Sequence, residues 1–364
     1  MASFVDGYIK LIKRFFPLNR QSSSIGLDVG LAAVRSVEIT SKNGVFELVR
    51  WGIEPLAAND DKAAAVALGK TATALGPQAG SRPVVASVGG KGTLVRYVDM
   101  PRMSTSELRR AFEIESDKYF PFPKDTVYTD CHILDTTDNN RKMAVLVSAV
   151  KKDLVDGRMK LLKDAGMDPA TVTLASVAMA NAFAVFPPEG VAPVDGKSRE
   201  FKASAVLDIG ETCTNLMIIF AGLPRFNRDV FIGTQEIYKR VSNLLGVPPQ
   251  EVPALLQPGM TLTELAQKGV DAVMANLIAE IRLSFEYFVT EKNLAVTRIF
   301  LAGEGAQVPG VEKAFKDGMD IPVSVWNPLD KMPRSATAAS EGLKAAGPRL
   351  VTALGLALNE YDQS

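Results

Sequence analysis

The sequence predicts an α/β protein built of two similar lobes, with a small α+β module inserted into the first lobe. A strand that ends in Asp-x-Gly occurs twice, at Asp28 and Gly30 and again at Asp208 and Gly210. Such a repeat indicates that two parts of the chain fold alike, although either copy alone is also typical of a turn after a strand. Between the copies, residues 93–165 follow a strand–helix–strand–strand–helix pattern, which predicts the module. At 364 residues the chain is long enough for two domains with sizeable cores.

The composition excludes several classes of function. The net charge is zero, which argues against a nucleic-acid partner. The only cysteines, Cys131 and Cys213, lie far apart, so neither a disulfide framework nor a cysteine-based zinc site is expected. His132 is the only histidine, and the sequence has no nucleophile-elbow motif whose serine it could activate, so a Ser-His-Asp triad is not expected. A reducing, cytoplasmic setting fits these features best.

Residues 1–20 predict a short amphipathic helix, with apolar residues at helical spacing over positions 4–16 and lysine and arginine on the other side. Such a helix suits peripheral contact with an anionic membrane surface or docking on a partner, and packing on its own domain is an equal alternative. No apolar run reaches the roughly 18 to 20 residues that a membrane span requires.

The first lobe is predicted from residues 21–95 and 170–200. Its helix at 61–75 is Ala-rich and is closed by Gly76 and a following proline. Residues 89–92 resemble a phosphate-binding loop but lack the spacing of one, so we interpret them as a hairpin turn. Residues 171–186 are apolar and Ala-rich, and we interpret them as a buried helix. The predicted strands are 25–28, 33–39, 45–51 and 83–88.

Residues 96–169 are predicted to form the inserted module. Ser104 and Glu107 have the spacing of a capping box, so a helix begins there and runs to about Lys118. Two prolines within residues 119–123 end it. The other predicted elements are strands at 93–99, 127–134 and 143–149 and a helix at 151–165.

A linker rich in proline and glycine, residues 187–198, leads to the second lobe, predicted from residues 201–232 and 295–345. Apolar runs on both sides of a polar tip predict a tight hairpin around residues 211–215. Residues 233–294 are a predicted insertion, and 346–364 are a closing helix that returns to the first lobe. The other predicted elements are strands at 226–232 and 298–302, a helix from 233, a loop over 247–268, a long helix at 271–292 and one or two helices within 338–358.

The hairpin tip carries the strongest chemical signal. Asp208 ends a buried strand and can hold a hydrated Mg²⁺, and Gly210 allows the backbone to come close to a ligand. Thr212 and Thr214 add hydroxyl groups, and the tip adds backbone N–H groups that can line up on an anion.

Three motifs follow one another along the chain: Gly-Leu-Asp28-Val-Gly30, Leu-Asp208-Ile-Gly210-Glu-Thr-Cys-Thr214 and Phe-Leu-Ala-Gly303-Glu-Gly305. Together they resemble the phosphate-1, phosphate-2 and adenosine motifs of the actin/Hsp70/sugar-kinase superfamily. This resemblance implies a duplicated actin-like (ribonuclease-H-like) two-lobe fold. The inserted module and the stretch Glu115-x-x-x-Tyr119-Phe120-Pro121-Phe122-Pro123 are similar to those of the PilM-type type IV pilus assembly proteins.

The resemblance implies that ATP binds between the lobes and that Asp28 and Asp208 hold Mg²⁺ through water. The residues implied at the phosphates and Mg²⁺ are Gly26, Asp28, Gly30, Arg35, Asp208, Gly210, Glu211, Thr212 and Thr214. Those implied near the adenosine are Glu236, Lys239, Gly303 and Gly305.

The chain also departs from the pattern of the superfamily. Leu31 and Ala32 occupy the first tip, where a hydroxyl or amide is usual, and Arg35 replaces the lysine that is usual in the PilM family. Glu304 stands where a small residue is common. No residue stands out as a catalytic base, so nucleotide binding is expected rather than brisk hydrolysis.

The resemblance further implies a partner, the cytoplasmic N-terminal segment of a PilN-like inner-membrane protein, bound in a groove at the module. We expect Tyr119, Phe120 and Phe122 at the rim of that groove; a helix stop whose phenylalanines pack inward is the alternative. Pilus ATPases and a homo-oligomeric ring are further implied partners, and the implied location is the cytoplasmic face of the inner membrane. Two alternatives within the superfamily are a membrane-tethered cell-division actin homologue and a small-molecule kinase.

Overall fold

The computed structural model describes residues 22–42, 44–76, 82–135, 142–191, 202–338 and 342–359. Its strands are β1 (Ser22–Val29), β2 (Ala33–Lys42), β3 (Val45–Pro55), β4 (Val84–Val88), β5 (Thr93–Pro101), β6 (Val127–Asp135), β7 (Lys142–Lys151), β8 (Thr171–Leu174), β9 (Ala203–Ile209), β10 (Thr214–Phe220), β11 (Leu223–Val230), β12 (Val296–Ala302) and β13 (Val323–Val325). Its α-helices are α1 (Asp61–Leu75), α2 (Thr105–Glu115), α3 (Lys152–Asp164), α4 (Ala175–Val185), α5 (Thr234–Leu245), α6 (Val252–Leu255), α7 (Glu264–Lys292), α8 (Val311–Gly318), α9 (Leu343–Ala346) and α10 (Val351–Asn359). Short 3-10 turns follow α2, precede β6, follow β12 and precede α10.

Two five-stranded sheets have the same construction. The first has the order β3-β2-β1-β4-β8 and the second the order β11-β10-β9-β12-β13. In each sheet, three consecutive antiparallel strands are followed by two parallel ones. The duplication that the two Asp-x-Gly motifs predict is therefore present, with β1 and β9 in equivalent central positions.

Helices α4 and α10 lie between the two sheets. Phe183 of α4 packs with Phe300 and Trp326 of the second lobe, and Ala353 and Leu354 of α10 pack in the core of the first sheet. The two helices also touch each other so closely that a Cβ on Gly355 would overlap the carbonyl oxygen of Ala178. Glycine permits this approach because it has no side chain. The two sheets are thus joined through a shared helical layer.

The inserted module is a three-stranded antiparallel sheet, β5-β7-β6, with α2 packed on it. The capping box of α2 is present, since Glu107 accepts a hydrogen bond from the backbone N–H of Ser104 while the Ser104 hydroxyl accepts one from Glu107 N–H. Leu162 of α3 lies instead in the core of the first sheet, so α3 ties the module to the lobe that carries it.

Several element predictions are wrong in detail. Residues 171–174 form the edge strand β8 rather than the start of a helix, because Thr171, Val172 and Thr173 are β-branched and pair with β4. The turn at residues 89–92 is not a hairpin, since β4 and β5 belong to different sheets. Helix α7 begins at Glu264, inside the segment predicted as a loop, where Thr263 caps it. The third strand of the second lobe begins at Leu223 instead of 226.

The predicted amphipathic helix over residues 4–16 and most of the predicted linker lie outside the described residues. Among the residues that are described, no helix combines the length and apolar character needed to cross a bilayer. The predicted boundaries of the lobes, the module and the second-lobe insertion stay predictions.

Candidate functional site

The two motif aspartates lie at the ends of the equivalent strands β1 and β9, at the cleft between the sheets. Asp28 accepts a hydrogen bond from the Ser87 hydroxyl at 2.9 Å, and Asp208 accepts one from the Thr352 hydroxyl at 3.1 Å. Ser87 belongs to β4, the parallel neighbour of β1, whereas Thr352 lies at the start of α10. Each carboxylate is therefore oriented by a hydroxyl from another element.

Asp208 sits in an environment that disfavours its charge. Burial raises the pKa of its carboxyl group to about 6, and repulsion from Asp28 acts in the same direction. The positive charge of Arg35 and the Thr352 hydrogen bond oppose the shift but do not cancel it. A half-buried carboxylate beside a second one is an arrangement that a bound cation would stabilise.

Arg35 joins the two lobes across the cleft. It lies opposite Asp28 in the β1–β2 ladder, and its Nη1 is 3.5 Å from Asp28 Oδ2. Its Nη2 is 2.6 Å from Glu211 Oε1, at the tip of the second-lobe hairpin, and 3.3 Å from Glu304 Oε2, just after β12. Arg349 Nε holds the same Glu304 oxygen at 2.6 Å. We call Asp28, Arg35, Glu211, Glu304 and Arg349 the interlobe cluster.

The arginine in this cluster is buried, with 5% of its surface exposed. Burial by itself would lower the pKa of the guanidinium, but the charges of Glu211, Asp28 and Glu304 outweigh it and hold the pKa above its ordinary value. Arg35 therefore stays charged, and the three carboxylates supply its counter-charge.

The hairpin tip packs onto the start of α5. The carbonyls of Gly210 and Glu211 accept hydrogen bonds from the N–H groups of Thr234 and Gln235 at 3.0 and 2.9 Å. The Thr214 side chain is fully buried, and its hydroxyl donates to the Ile232 carbonyl at 2.8 Å. The Thr214 hydroxyl thus secures the base of the hairpin, and its predicted place at the phosphate site stays a prediction. Thr212 is half-buried at the tip.

The motif glycines have different roles. A Cβ on Gly26 would overlap the Ala353 carbonyl, so this glycine permits close packing against α10, and its place at the phosphate site stays a prediction. At Gly30, a Cβ would lie 2.6 Å from Arg35 Nη1, so glycine leaves room for the guanidinium. Gly303 has a φ of +82°, and it and Gly305 pack against Ile209 of β9. These two glycines are required by the fold, whether or not a nucleoside lies beside them.

The residues expected near adenosine are both exposed on α5. Glu236 accepts a hydrogen bond from the Gly233 N–H at 2.9 Å and so caps its own helix, while Lys239 extends into solvent. Tyr238, between them in sequence, is half-buried. Burial and the charge of Glu304 raise the pKa of its hydroxyl, which places this ring beside the interlobe cluster.

The expected aromatic rim of the module is only partly available. Phe120 is 6% exposed and packs edge-on against Phe112 with ring centroids 6.0 Å apart. The expectation that it is an exposed anchor is wrong, because its ring completes the core of the module. Tyr119 and Phe122 are half-buried and pack at the edge of the same core.

Sequence reasoning missed Ser87, Thr352, Arg349, Tyr238 and Arg158. A polar residue inside the apolar strand β4 was a usable signal for Ser87. Arg158 of α3 donates to the Val29 carbonyl at 3.0 Å, and neither it nor Arg349 has a local motif. These residues reach the cleft only through tertiary packing.

The side chains of the cleft include the chemical groups that a magnesium-bound nucleotide requires. Asp28 and Asp208 supply oxygen atoms of the type that hydrated Mg²⁺ prefers, and Arg35 can bind phosphate. Glu211 and Glu304 do not fit a phosphate site, because they form ion pairs with the Arg35 guanidinium that a phosphate would bind. Within the described ranges, no group of three or more histidine, cysteine or acidic side chains is placed to hold a metal ion directly.

The duplicated sheets, the shared helical layer and the paired aspartates define a protein of the two-lobe actin-like fold. The family model "Type IV pilus assembly protein PilM" matches residues 26–361, and the chain belongs to that family.

Two solved structures share the fold. A chain of a PilM–PilN type IV pilus biogenesis complex has a TM-score of 0.77 at 22% identity, over 94% of this chain and 99% of that one. The ethanolamine utilization protein EutJ of Carboxydothermus hydrogenoformans has a TM-score of 0.53 at 14% identity, over 97% of each chain.

Proposed function

We propose that this protein is a nucleotide-binding cytoplasmic scaffold of type IV pilus, or related secretion, machinery. It binds the cytoplasmic N-terminal segment of a PilN-like inner-membrane protein and so links the cytoplasmic side of the machine to its periplasmic frame. The observation that carries this proposal is the family match over residues 26–361. The fold shared with a chain of a PilM–PilN complex along 94% of this chain supports it.

In this proposal the cleft holds ATP with Mg²⁺. Asp28 and Asp208 hold the ion through water, while Gly30, Arg35 and the tip at Gly210 to Thr212 face the phosphates. The Mg²⁺ ion would neutralise phosphate charge beside these carboxylates. The cleft residues would bind and orient the nucleotide, and the carboxylates of the cleft are already engaged with arginines or a hydroxyl. We therefore propose nucleotide binding with slow or no turnover.

The partner segment is proposed to bind at the module, with Tyr119 and Phe122 at the rim. Half-buried aromatic rings lose little side-chain entropy on binding and can act as apolar anchors. Phe120 has no part in this rim because its ring is in the module core.

Two contacts with the second lobe, one from β5 of the module and one from the turn before it, offer a physical route from nucleotide to partner. Lys91, in the turn before β5, lies over the ring of Phe231 at 5.4 Å, and Lys292 Nζ is 3.8 Å from Asp99 Oδ2 of β5. Phe231 follows β11, close to the helix start on which the hairpin tip packs. A movement of the tip would therefore reach the module through this face.

The test is a fluorescence-anisotropy titration of a PilN-type N-terminal peptide into the full chain, with and without Mg-ATP. Saturable binding whose affinity changes with nucleotide is the expected result. Phe122→Ala should weaken binding by about tenfold if the ring is an anchor. The control is Val66→Ala, which truncates an exposed apolar side chain on α1 and should bind like the parent.

Absence of binding in both conditions would refute the partner assignment. Binding that ignores nucleotide would leave a scaffold without nucleotide control and would refute the proposed communication between cleft and module.

A further inference from the structure

In the interlobe cluster, the buried Arg35 of the first lobe forms ion pairs with two glutamates of the second lobe. Arg35 comes from β2 of the first sheet, and both Glu211 and Glu304 come from loops of the second sheet. The distances of 2.6 and 3.3 Å are those of charge-assisted hydrogen bonds or close ion pairs. These contacts hold the two sides of the cleft together at the position of the phosphate motifs.

Glu304 is held from two sides, by Arg35 of the first lobe and by Arg349 of the turn before α10. Its Oε2 atom lies 3.3 Å from Arg35 Nη2 and 2.6 Å from Arg349 Nε. Arg349 lies in the turn that leads into α10, and the Pro348 carbonyl beside it accepts a hydrogen bond from Gly303 N–H at 2.8 Å. Glu304 is therefore held in place by the turn that leads into the shared helix α10, and it presents a fixed acceptor to Arg35.

A carboxylate and a phosphate compete for the same face of a guanidinium, because both accept its paired N–H groups. Arg35 is also the residue that the cleft would offer to a phosphate. An anion that takes Arg35 must therefore replace Glu211 and Glu304, and the two glutamates, left unpaired beside a phosphate, would be pushed away from it.

We propose that the Arg35–Glu211 and Arg35–Glu304 pairs hold the lobes closed in the absence of nucleotide and that the phosphates of a nucleotide release them by taking Arg35. This inference rests on the nucleotide binding proposed above and specifies its regulation. The carboxylate pair thus lowers nucleotide affinity while it keeps the empty cleft shut.

The first test measures the distance between the lobes without nucleotide. Nitroxide labels are placed at Lys62→Cys on α1 and Lys268→Cys on α7, both exposed, and read by pulsed electron paramagnetic resonance. The native thiols should label slowly, because burial raises the pKa of Cys131 to about 11 and that of Cys213 to about 12. Glu211→Gln and Glu304→Gln should shift the distribution to longer distances. Glu312→Gln, which removes a surface ion-pair partner on α8, should not.

The second test measures Mg-ATP affinity by calorimetry. Glu304→Gln should bind about tenfold more tightly and Arg35→Gln at least about tenfold more weakly, the size of one charge-assisted hydrogen bond. In the Arg35→Gln background, the effect of Glu304→Gln should shrink to less than about twofold, because no guanidinium remains to be freed.

The two tests separate the possible failures. A tighter Glu304→Gln variant whose gain persists without Arg35 would indicate simple repulsion of phosphate and would refute competition for the guanidinium. Unchanged distances in both glutamine variants would refute the closing role. If the parent protein binds no Mg-ATP, both the proposed nucleotide binding and the proposed release by phosphate are refuted. The distances between the labels on α1 and α7 then still test whether the ion pairs keep the lobes closed.

Discussion

Replacement of Asp208 by asparagine is expected to stabilise the protein in the absence of ligand. Asp208 is half-buried, and desolvation of its carboxyl group together with repulsion from Asp28 raises its pKa to about 6 from an ordinary value of 3.8. Asparagine has nearly the same shape, carries no charge, and can still accept the hydrogen bond from Thr352. The substitution therefore removes an unfavourable charge while it keeps the packing.

The magnitude follows from the two pKa values. A folded-state pKa above the unfolded one means that the native state binds the proton more tightly, so the contribution of Asp208 to stability falls as pH rises from about 4 through about 6. The penalty is complete above about pH 7 and amounts to roughly 3 kcal/mol, from about 1.4 kcal/mol per pKa unit. At pH 5 only about half of it is present. The advantage of Asp208→Asn should therefore grow by about 1.5 kcal/mol between pH 5 and pH 7.5.

Urea unfolding of the parent and the variant at both pH values measures this change, with equal m-values as the condition for comparing them. Asp317→Asn is the control, because its carboxylate is exposed in a surface pair with Lys313 and should show a pH-dependent change below about 0.5 kcal/mol. An advantage for Asp208→Asn that is the same at both pH values, or a loss that grows with pH, would refute the assignment of a charge penalty to this site.

Two further predictions concern packing. Gly355→Ala should destabilise the protein by more than about 3 kcal/mol or prevent folding, because the added methyl group overlaps the Ala178 carbonyl. Gly69→Ala on α1 is the control: its methyl group meets no atom within 4 Å, so the substitution should stabilise the protein by about 0.5–1 kcal/mol. Thermal unfolding distinguishes them, and similar effects of the two substitutions would contradict the close helix contact. Phe120→Ala should cost about 3–5 kcal/mol as a core truncation, with Phe122→Ala costing clearly less. Urea unfolding measures both, and equal losses would argue against the different burial of the two rings.

Local signals in the sequence were sufficient for much of the fold. Helix α1 has the predicted bounds because Asp60 caps its first turn and Gly76 follows its last residue. The capping box at Ser104 is present for the same reason, since its partners are only three residues apart. The repeated Asp-x-Gly motif predicted the duplicated sheets, because each copy marks the end of an equivalent strand.

Elements without a distinctive period were harder to predict. Residues 171–186 form one apolar run, and periodicity alone does not separate a short buried strand from the helix that follows it. Whether the Phe120 side chain is buried or exposed could not be predicted for a similar reason. Alternating phenylalanine and proline follows neither the helical nor the strand period, so the sequence does not show which ring faces the core. The structure resolves it in favour of packing against Phe112.

The geometry of the cleft depends on residues far apart in sequence. Glu304 has no apparent use beside a phosphate when the sequence alone is considered, and its pairing with Arg35 spans 269 residues. Thr352 contacts Asp208 across 144 residues, through a helix that belongs mainly to the other lobe. Such contacts are determined by how the lobes pack on the helical layer, so no local sequence pattern predicts them.

The position of α10 has a consequence for the order in which the protein is made. The Ser24 hydroxyl of β1 donates to the Ala357 carbonyl of α10 across 333 residues. During synthesis one face of the first sheet therefore stays uncovered until the whole second lobe has left the ribosome, although β1 to β3 emerge early. Apolar residues such as Val37 and Ile39 would remain available to chaperones, or to another chain, throughout that time. The lobe that is synthesised first is thus the last to be completed.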